Sequence, residues 1–234
     1  MKWILRVLMP EICYICEKEV ETQGICIACW QKLTFITQPY CIICGTPFEF
    51  LIEQNSMCAQ CIQKEPMFDL NRSALKYDKY SKKLIMHYKN KNAMYLQNFF
   101  VNLLRNTIQP YINQIDFITP VPIHYWRTIW RGYNQSSLLA QELAKLVKKP
   151  CIDDLLLKTK FSKSQSNFNR QDRFENVKQT FEFNATYENK IKNRNMLLLD
   201  DVKTTGATLS ECASVLKKAG AKQVYTLTIA QTIK

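Results

Sequence analysis

Two acids, three threonines and a glycine crowd the segment MLLLDDVKTTGAT, Met196 to Thr208. Asp200 and Asp201 close an apolar run, and Thr204-Thr205-Gly206-Ala207-Thr208 follows before helical spacing begins. Backbone amides at a helix N-terminus, with the helix dipole behind them, favour a phosphate. Gly206 lets the backbone approach closely, and the threonine hydroxyls add donors. Acids repel a phosphate, so Asp200 and Asp201 serve a neighbouring polyol or a metal-bound water. A ribose phosphate carries both features. A strand–turn–helix capped by Asp201 or a threonine accounts for one polar residue, not for this set.

The cysteines make a second chemistry. Eight of ten lie before residue 62, in four Cys-x-x-Cys pairs: Cys13/Cys16, Cys26/Cys29, Cys41/Cys44 and Cys58/Cys61. Cys151 and Cys212 stand apart and read as ordinary interior or helix-face residues. Met1 to Pro10 is broken by Arg6 and lacks a small-residue cleavage site, so it does not read as a secretory signal. Paired cysteines without export point to metal rather than to disulfides, and the natural occupant is zinc. Two structural zincs fit the eight ligands. Pairing in sequence order places Cys13, Cys16, Cys26 and Cys29 on one ion and Cys41, Cys44, Cys58 and Cys61 on the other; interleaved pairing stays open. Gly45 suits a tight knuckle after Cys44. A closed four-thiolate shell has no open position for catalysis; it folds a segment too short of core to fold alone.

The elements that position these groups follow from pattern. Hydrophobic residues make up 47% of the 234 and charged residues 22%, which excludes a disordered chain. Five glycines exclude a fibrous one. No apolar run reaches the ~18–20 residues needed to span a bilayer. The formal charge of +12 falls to about +8 with two four-thiolate zincs, so phosphates, nucleic acid or an acidic membrane surface suit as partners. The pattern divides the chain into a double zinc-binding region, 1–64, and an α/β domain, 65–234. In the second, strands are expected at Met67 to Tyr77, Phe117 to Pro122, Met196 to Leu199 and Val224 to Ala230. Helices are expected at Tyr80 to Lys89, Ala93 to Asn106, Ser136 to Lys148 and Ala207 to Ala219. This alternation implies a mostly parallel sheet flanked by helices.

The segment from Met196 to Thr208 resembles the thirteen-residue signature of type I phosphoribosyltransferases, which use phosphoribosyl pyrophosphate. The resemblance implies that Asp200 and Asp201, the catalytic candidates, contact the ribose hydroxyls. It gives the 5′-phosphate to Lys203, Thr204, Thr205, Gly206, Ala207 and Thr208. Lys203 stands where many relatives carry an apolar or small residue, and is expected to add positive charge or to face solvent. Thr119-Pro120-Val121-Pro122, Arg127 and Arg131-Gly132-Tyr133-Asn134-Gln135 resemble the PVP…R…RG(F/Y)NQ motif of the ComF family. Lys158, Lys160, Ser162, Gln165, Phe168, Arg173 and Asn176-Val177 follow a further motif of that family, R-x-R-x-T-x-x-Q-x-x-L…R-x-x-N-V. Lys replaces Arg at 158 and 160, which removes bidentate phosphate recognition. Ser replaces Thr at 162 and Phe replaces Leu at 168. Lys89, Arg127, Arg131, Lys158, Lys160, Gln165 and Arg173 are the candidates for the pyrophosphate or for a lid. The cysteine-paired start matches the double zinc ribbon of longer members.

The resemblance implies a competence protein acting on single-stranded DNA during natural transformation. It would be cytoplasmic, or peripheral to the inner face of the cytoplasmic membrane. Trp126, Trp130 and Tyr133 beside cations suit unpaired strands. An active phosphoribosyltransferase with Mg²⁺ and an unknown acceptor is the second reading. The third is a zinc-ribbon module docking an ATP-dependent DNA translocase. That reading separates the two regions: replacing Cys41 and Cys44 is expected to unfold the ribbon and leave ligand binding largely intact. His87 and His124, the only histidines, read as surface or helix-face residues.

Overall fold

The computed structural model describes residues 11–21, 24–50, 52–53, 55–90, 94–123, 133–159 and 179–233. Four parallel strands form the central sheet: β1 (Leu70–Lys76), β2 (Phe117–Pro120), β5 (Asn195–Lys203) and β6 (Gln223–Gln231), in the order β1-β6-β5-β2. Short helices α1 (Ile27–Trp30) and α2 (Ala59–Gln63) each begin within a cysteine pair. Around the sheet lie α3 (Lys79–Asn90), α4 (Met94–Ile108), α5 (Gln135–Val147), α6 (Glu188–Ile191) and α7 (Ala207–Lys218). A hairpin of β3 (Leu156–Lys158) and β4 (Phe181–Phe183) stands outside the sheet. Among the described residues, no helix is long and apolar enough to cross a membrane.

The apolar run of β5 explains its central place. Its side chains alternate between faces: Leu197 and Leu199 enter one buried cluster, Met196 and Leu198 the other. α4 and α5 cover the first face with Phe100, Leu104, Ile108, Leu139 and Leu143. α7 covers the second with Leu209, Cys212, Ala213 and Leu216. β5 continues past the apolar run, through both acids, because Val202 and Lys203 still pair with Ala230 and Gln231. Asn134 caps α5 by accepting from the Ser136 amide at 3.1 Å, and Gly220 at φ 96° follows the end of α7.

The cysteine region straddles the β1 edge. Cys13, Tyr14, Ile15, Cys29 and Leu33 pack into the α4 face, whereas Cys41, Cys44 and Cys61 pack into the α7 face. Between them residues 34–36 run beside β1, with Ile36 N to Ala74 O at 3.0 Å and Lys76 N to Thr34 O at 2.8 Å. At the far edge, Pro150 to Ile152 flanks β2 through Ile118 N to Pro150 O and Ile152 N to Ile118 O, both 2.9 Å. Both sheet edges are thereby covered, which blocks edge-to-edge pairing. Arg72, 4% exposed, reaches back from β1 and donates to Ile42 O at 3.0 Å and to Tyr111 Oη at 2.7 Å. Its guanidinium lies over the Tyr40 and Tyr111 rings, at 4.4 and 5.1 Å, where the aromatic faces compensate a buried cation.

Candidate functional site

The acids sit within the last four residues of β5, near the carboxyl edge where parallel sheets bind ligands. Gly206 immediately precedes α7 at φ 79° and ψ 2°, a left-handed turn that favours glycine. The turn aims the first amides of a twelve-residue helix into the space beyond the strand. Thr205 Oγ1 accepts from the Ala207 amide at 3.3 Å, and Thr232 donates to the Thr204 carbonyl at 2.9 Å, fixing both ends of the loop.

Three neighbours arrange the carboxylates. Ser136, first turn of α5, donates its hydroxyl to Asp200 Oδ1 at 3.2 Å, and the Asp201 amide donates to the same oxygen at 2.9 Å. Lys89, at the end of α3, pairs with Asp201 Oδ2. Gln135 holds the Lys89 carbonyl at 3.3 Å, and Asn134 donates to Val121 O at 3.1 Å. Burial, then the charge of Asp201, pushes the Asp200 carboxyl up to about 7 against the pull of the Asp201 amide, Lys89 and Ser136. Asp200 is therefore poised to change charge near neutrality.

Lys203 departs from expectation. The residue is 8% exposed, and its ammonium donates to Cys44 O at 2.8 Å and Gln231 Oε1 at 3.0 Å. Strict alternation along β5 would place position 203 with Leu197 and Leu199 on the α4 face, yet its ammonium reaches Cys44 of the second cysteine cluster on the other. Burial lowers its pKa, while the thiols of Cys44, Cys61, Cys58 and Cys41 favour its charge. Lys158 is half-buried with its ammonium 5.2 Å above the Phe181 ring. Arg127, Arg131, Lys160, Gln165 and Arg173 lie outside the described residues, as does His124. Trp126 and Trp130 lie outside them too, whereas Tyr133 is half-buried within them. His87 stands 6.3 Å, ring to ring, from Tyr14 of the cysteine region.

The cysteines assemble in sequence order. Cys13, Cys16, Cys26 and Cys29 form one group and Cys41, Cys44, Cys58 and Cys61 the other, each with sulfurs within 4.8 Å of one another. Tetrahedral Zn–S bonds of about 2.3 Å put sulfurs about 3.8 Å apart. Cys16 and Cys26 sulfurs stand at 3.8 Å and those of Cys44 and Cys58 at 3.5 Å. Amides point at the sulfurs, as Cys26 N to Cys13 Sγ and Cys58 N to Cys41 Sγ do, both at 3.4 Å. Such donors stabilise thiolates. Cys13 is pulled down to about 6 by the amides of Cys16, Cys26 and Ile15, in spite of burial. Cys44 is pulled down to about 6 by its bond with Cys41, in spite of burial. Burial and neighbouring thiols push Cys29 up to about 12, and the Cys44 thiol with burial does the same for Cys41. Thiols packed this closely cannot all ionise without a cation, which a zinc ion supplies. The donor set fits two structural zincs.

Ser136 and Gln135 contact the residues of this corner, and pattern reading missed both contacts. Their signal was the Asn134-Gln135-Ser136 sequence at the opening of an amphipathic helix, read only as a motif and a helix start.

Residues 4–62 match the family model of the double zinc ribbon domain, and residues 134–233 match that of the phosphoribosyl transferase domain. Competence protein F of Haemophilus influenzae is 28% identical over 210 residues, covering 88% of this chain and 89% of its own. The DNA utilization protein YhgH of Escherichia coli K12 is 26% identical over 234 residues, covering 96% and 99%. Competence protein ComFC of Bacillus subtilis is 28% identical over 215 residues, covering 88% and 84%.

Proposed function

Because the chain belongs to the ComF family, a double zinc ribbon joined to a phosphoribosyltransferase domain, we propose that it supports DNA uptake in natural transformation and binds phosphoribosyl pyrophosphate at the β5–α7 corner. One observation carries the ligand: two carboxylates in the last four residues of β5 precede, by one short loop, a left-handed glycine and the amide end of α7. The amides and Thr204, Thr205 and Thr208 hold the 5′-phosphate, and Asp200 and Asp201 accept from the ribose hydroxyls. Ser136 fixes the plane of the Asp200 carboxylate, and Lys89 holds Asp201 until the ligand arrives. Mg²⁺, bound with the pyrophosphate, supplies neutralisation of its charge. Lys89, Arg127, Arg131, Lys158, Lys160, Gln165 and Arg173 are the protein's own candidates for that task.

The DNA role rests on the relatives' names and on a formal charge of +12. Single-stranded DNA on the cytoplasmic side is the substrate handled. An ATP-dependent DNA translocase is the partner class for the ribbon, where Ile27, Phe50 and Ile62 are 79%, 75% and 66% exposed. Calorimetry with phosphoribosyl pyrophosphate and Mg²⁺ tests the ligand: the zinc-loaded protein binds and the Asp200→Ala/Asp201→Ala variant does not. Undiminished binding by the variant means the acids are misassigned. Deleting the protein from a transformable host leaves DNA bound outside but not entering the chromosome; unchanged transformation removes the competence role.

The position of Asp200 near 7 favours a second reading, in which the same site transfers the phosphoribosyl group to an acceptor. Pyrophosphate release that depends on both acceptor and Asp200 identifies it; no release with any acceptor rejects it.

A further inference from the structure

The tip of Lys203 lies between the second cysteine cluster and the phosphate loop. Its ammonium bridges Cys44 O and Gln231 Oε1. Gln231 returns its amide to Gly45 O at 2.6 Å, and Asn71 donates to Cys44 O at 3.0 Å and to Gln231 Oε1 at 3.2 Å. These bonds fasten both carbonyls of the Cys44-Gly45 knuckle to the sheet. Asn71 N to Ile43 O, at 2.6 Å, adds a third fastening. The knuckle packs so close that a Cβ on Gly45 would lie 2.5 Å from Asn71 O. Beside that same ammonium, the tip of Lys203 lies under the turn before α7: a Cβ on Gly206 would lie 3.5 Å from Lys203 Cε. Thr232, next to Gln231, donates to Lys203 O at 3.0 Å and Thr204 O at 2.9 Å. One side chain thus supports the loop from below while reporting on a knuckle 159 residues away in sequence.

We propose that Lys203 is a positioning residue that makes closure of the Cys41/Cys44/Cys58/Cys61 metal site a condition for an ordered phosphate loop. A metal closes the knuckle, the knuckle presents the Cys44 carbonyl, and Lys203 extends to it beneath Gly206. Without the metal the carbonyl moves, the ammonium loses a partner in a site almost closed to water, and the loop loses its floor. The first cysteine cluster packs on the opposite face of the sheet and has no such link among the described residues. The inference rests on the functional reading only in calling the loop a ligand site. It reverses the expectation that loss of Cys41 and Cys44 leaves ligand binding intact.

The test uses the full zinc-loaded chain and amide hydrogen exchange, which needs no ligand. In Lys203→Met, exchange at 204–208 accelerates about tenfold or more, and one of the two zincs passes to a chromophoric chelator about tenfold faster. The other zinc leaves at the wild-type rate. Wild-type exchange at 204–208 in that variant, or equal acceleration of both zincs, overturns the proposal. A measurement on the wild-type chain covers failure of the variant to fold. As chelator strips the zincs one at a time, exchange at 204–208 accelerates with loss of the second-site ion; a loop indifferent to it overturns the coupling. Phosphoribosyl pyrophosphate with Mg²⁺ is then titrated into the zinc-loaded wild type. Absence of binding there sinks the functional reading, whereas the exchange result decides the coupling alone.

Discussion

Replacing Asp200 by Asn exchanges a carboxyl that resists ionisation for an amide of the same shape. Burial and the Asp201 charge hold the carboxyl at about 7 in the folded protein, against an ordinary 3.8. The unfolded chain therefore gives up this proton at lower pH than the folded chain does. Below about pH 4 the group costs nothing; from there the folded state loses about 1.4 kcal/mol per pH unit, levelling off above pH 7 at about 4 kcal/mol. The residue is only half-buried, so solvent screens part of this, and the expected gain of Asp200→Asn at pH 8 is about 2–3 kcal/mol. The amide oxygen keeps the Ser136 and Asp201 donors. Urea unfolding of zinc-loaded wild type and variant, in parallel from pH 5 to 8.5, gives the difference directly; zinc loss in acid affects both and largely cancels. The variant becomes progressively more stable than wild type as pH rises, then holds a constant lead. A lead that is flat across that range, or a variant less stable at pH 8, refutes the account of Asp200 as a carboxylate kept at a stability cost for its site.

Two substitutions test the frame that holds the site. Gly45→Ala combines a φ of 67° with a Cβ 2.5 Å from Asn71 O, so it lowers stability by about 2 kcal/mol or more and loosens the second zinc. Chelator competition and thermal melts read both effects. Leu198→Ala empties a fully buried position on β5 and lowers stability by about 2–5 kcal/mol in urea unfolding, without changing zinc content.

How much could be read beforehand depended on how local the physics was. The cysteine clusters announced themselves because a Cys-x-x-Cys turn is a complete half-site, and the structure groups the pairs in sequence order. The β5–α7 corner was legible because strand, acids, glycine and helix are contiguous in the chain. The major helices and strands appeared within a few residues of their expected bounds, although β1 begins at Leu70 rather than Met67 and β5 runs four residues beyond Leu199. The β3–β4 hairpin was not legible: three-residue strands carry too little alternation to register. Lys203 was misread for a different reason. Strand alternation gives the wrong face for it, and its destination depends on a knuckle and a glutamine that only the folded sheet brings near. Likewise the Ser136–Asp200 bond joins residues 64 apart, and no spacing rule announces it.

The strand order has a consequence for biosynthesis. Among the described residues β1 has β6 as its one strand partner in the sheet, and β6 comes after every other described element. The cysteine region, translated earlier, thus waits for β6 before the edge it straddles exists. At ~5–20 residues per second the interval between β1 and β6 lasts on the order of ten seconds or more. Throughout it, the two cysteine knuckles can capture ions but have no finished surface to settle on. A nascent chain halted before Gln223 carries metal-binding fingers with nowhere to dock, and its apolar flanks fall to chaperones.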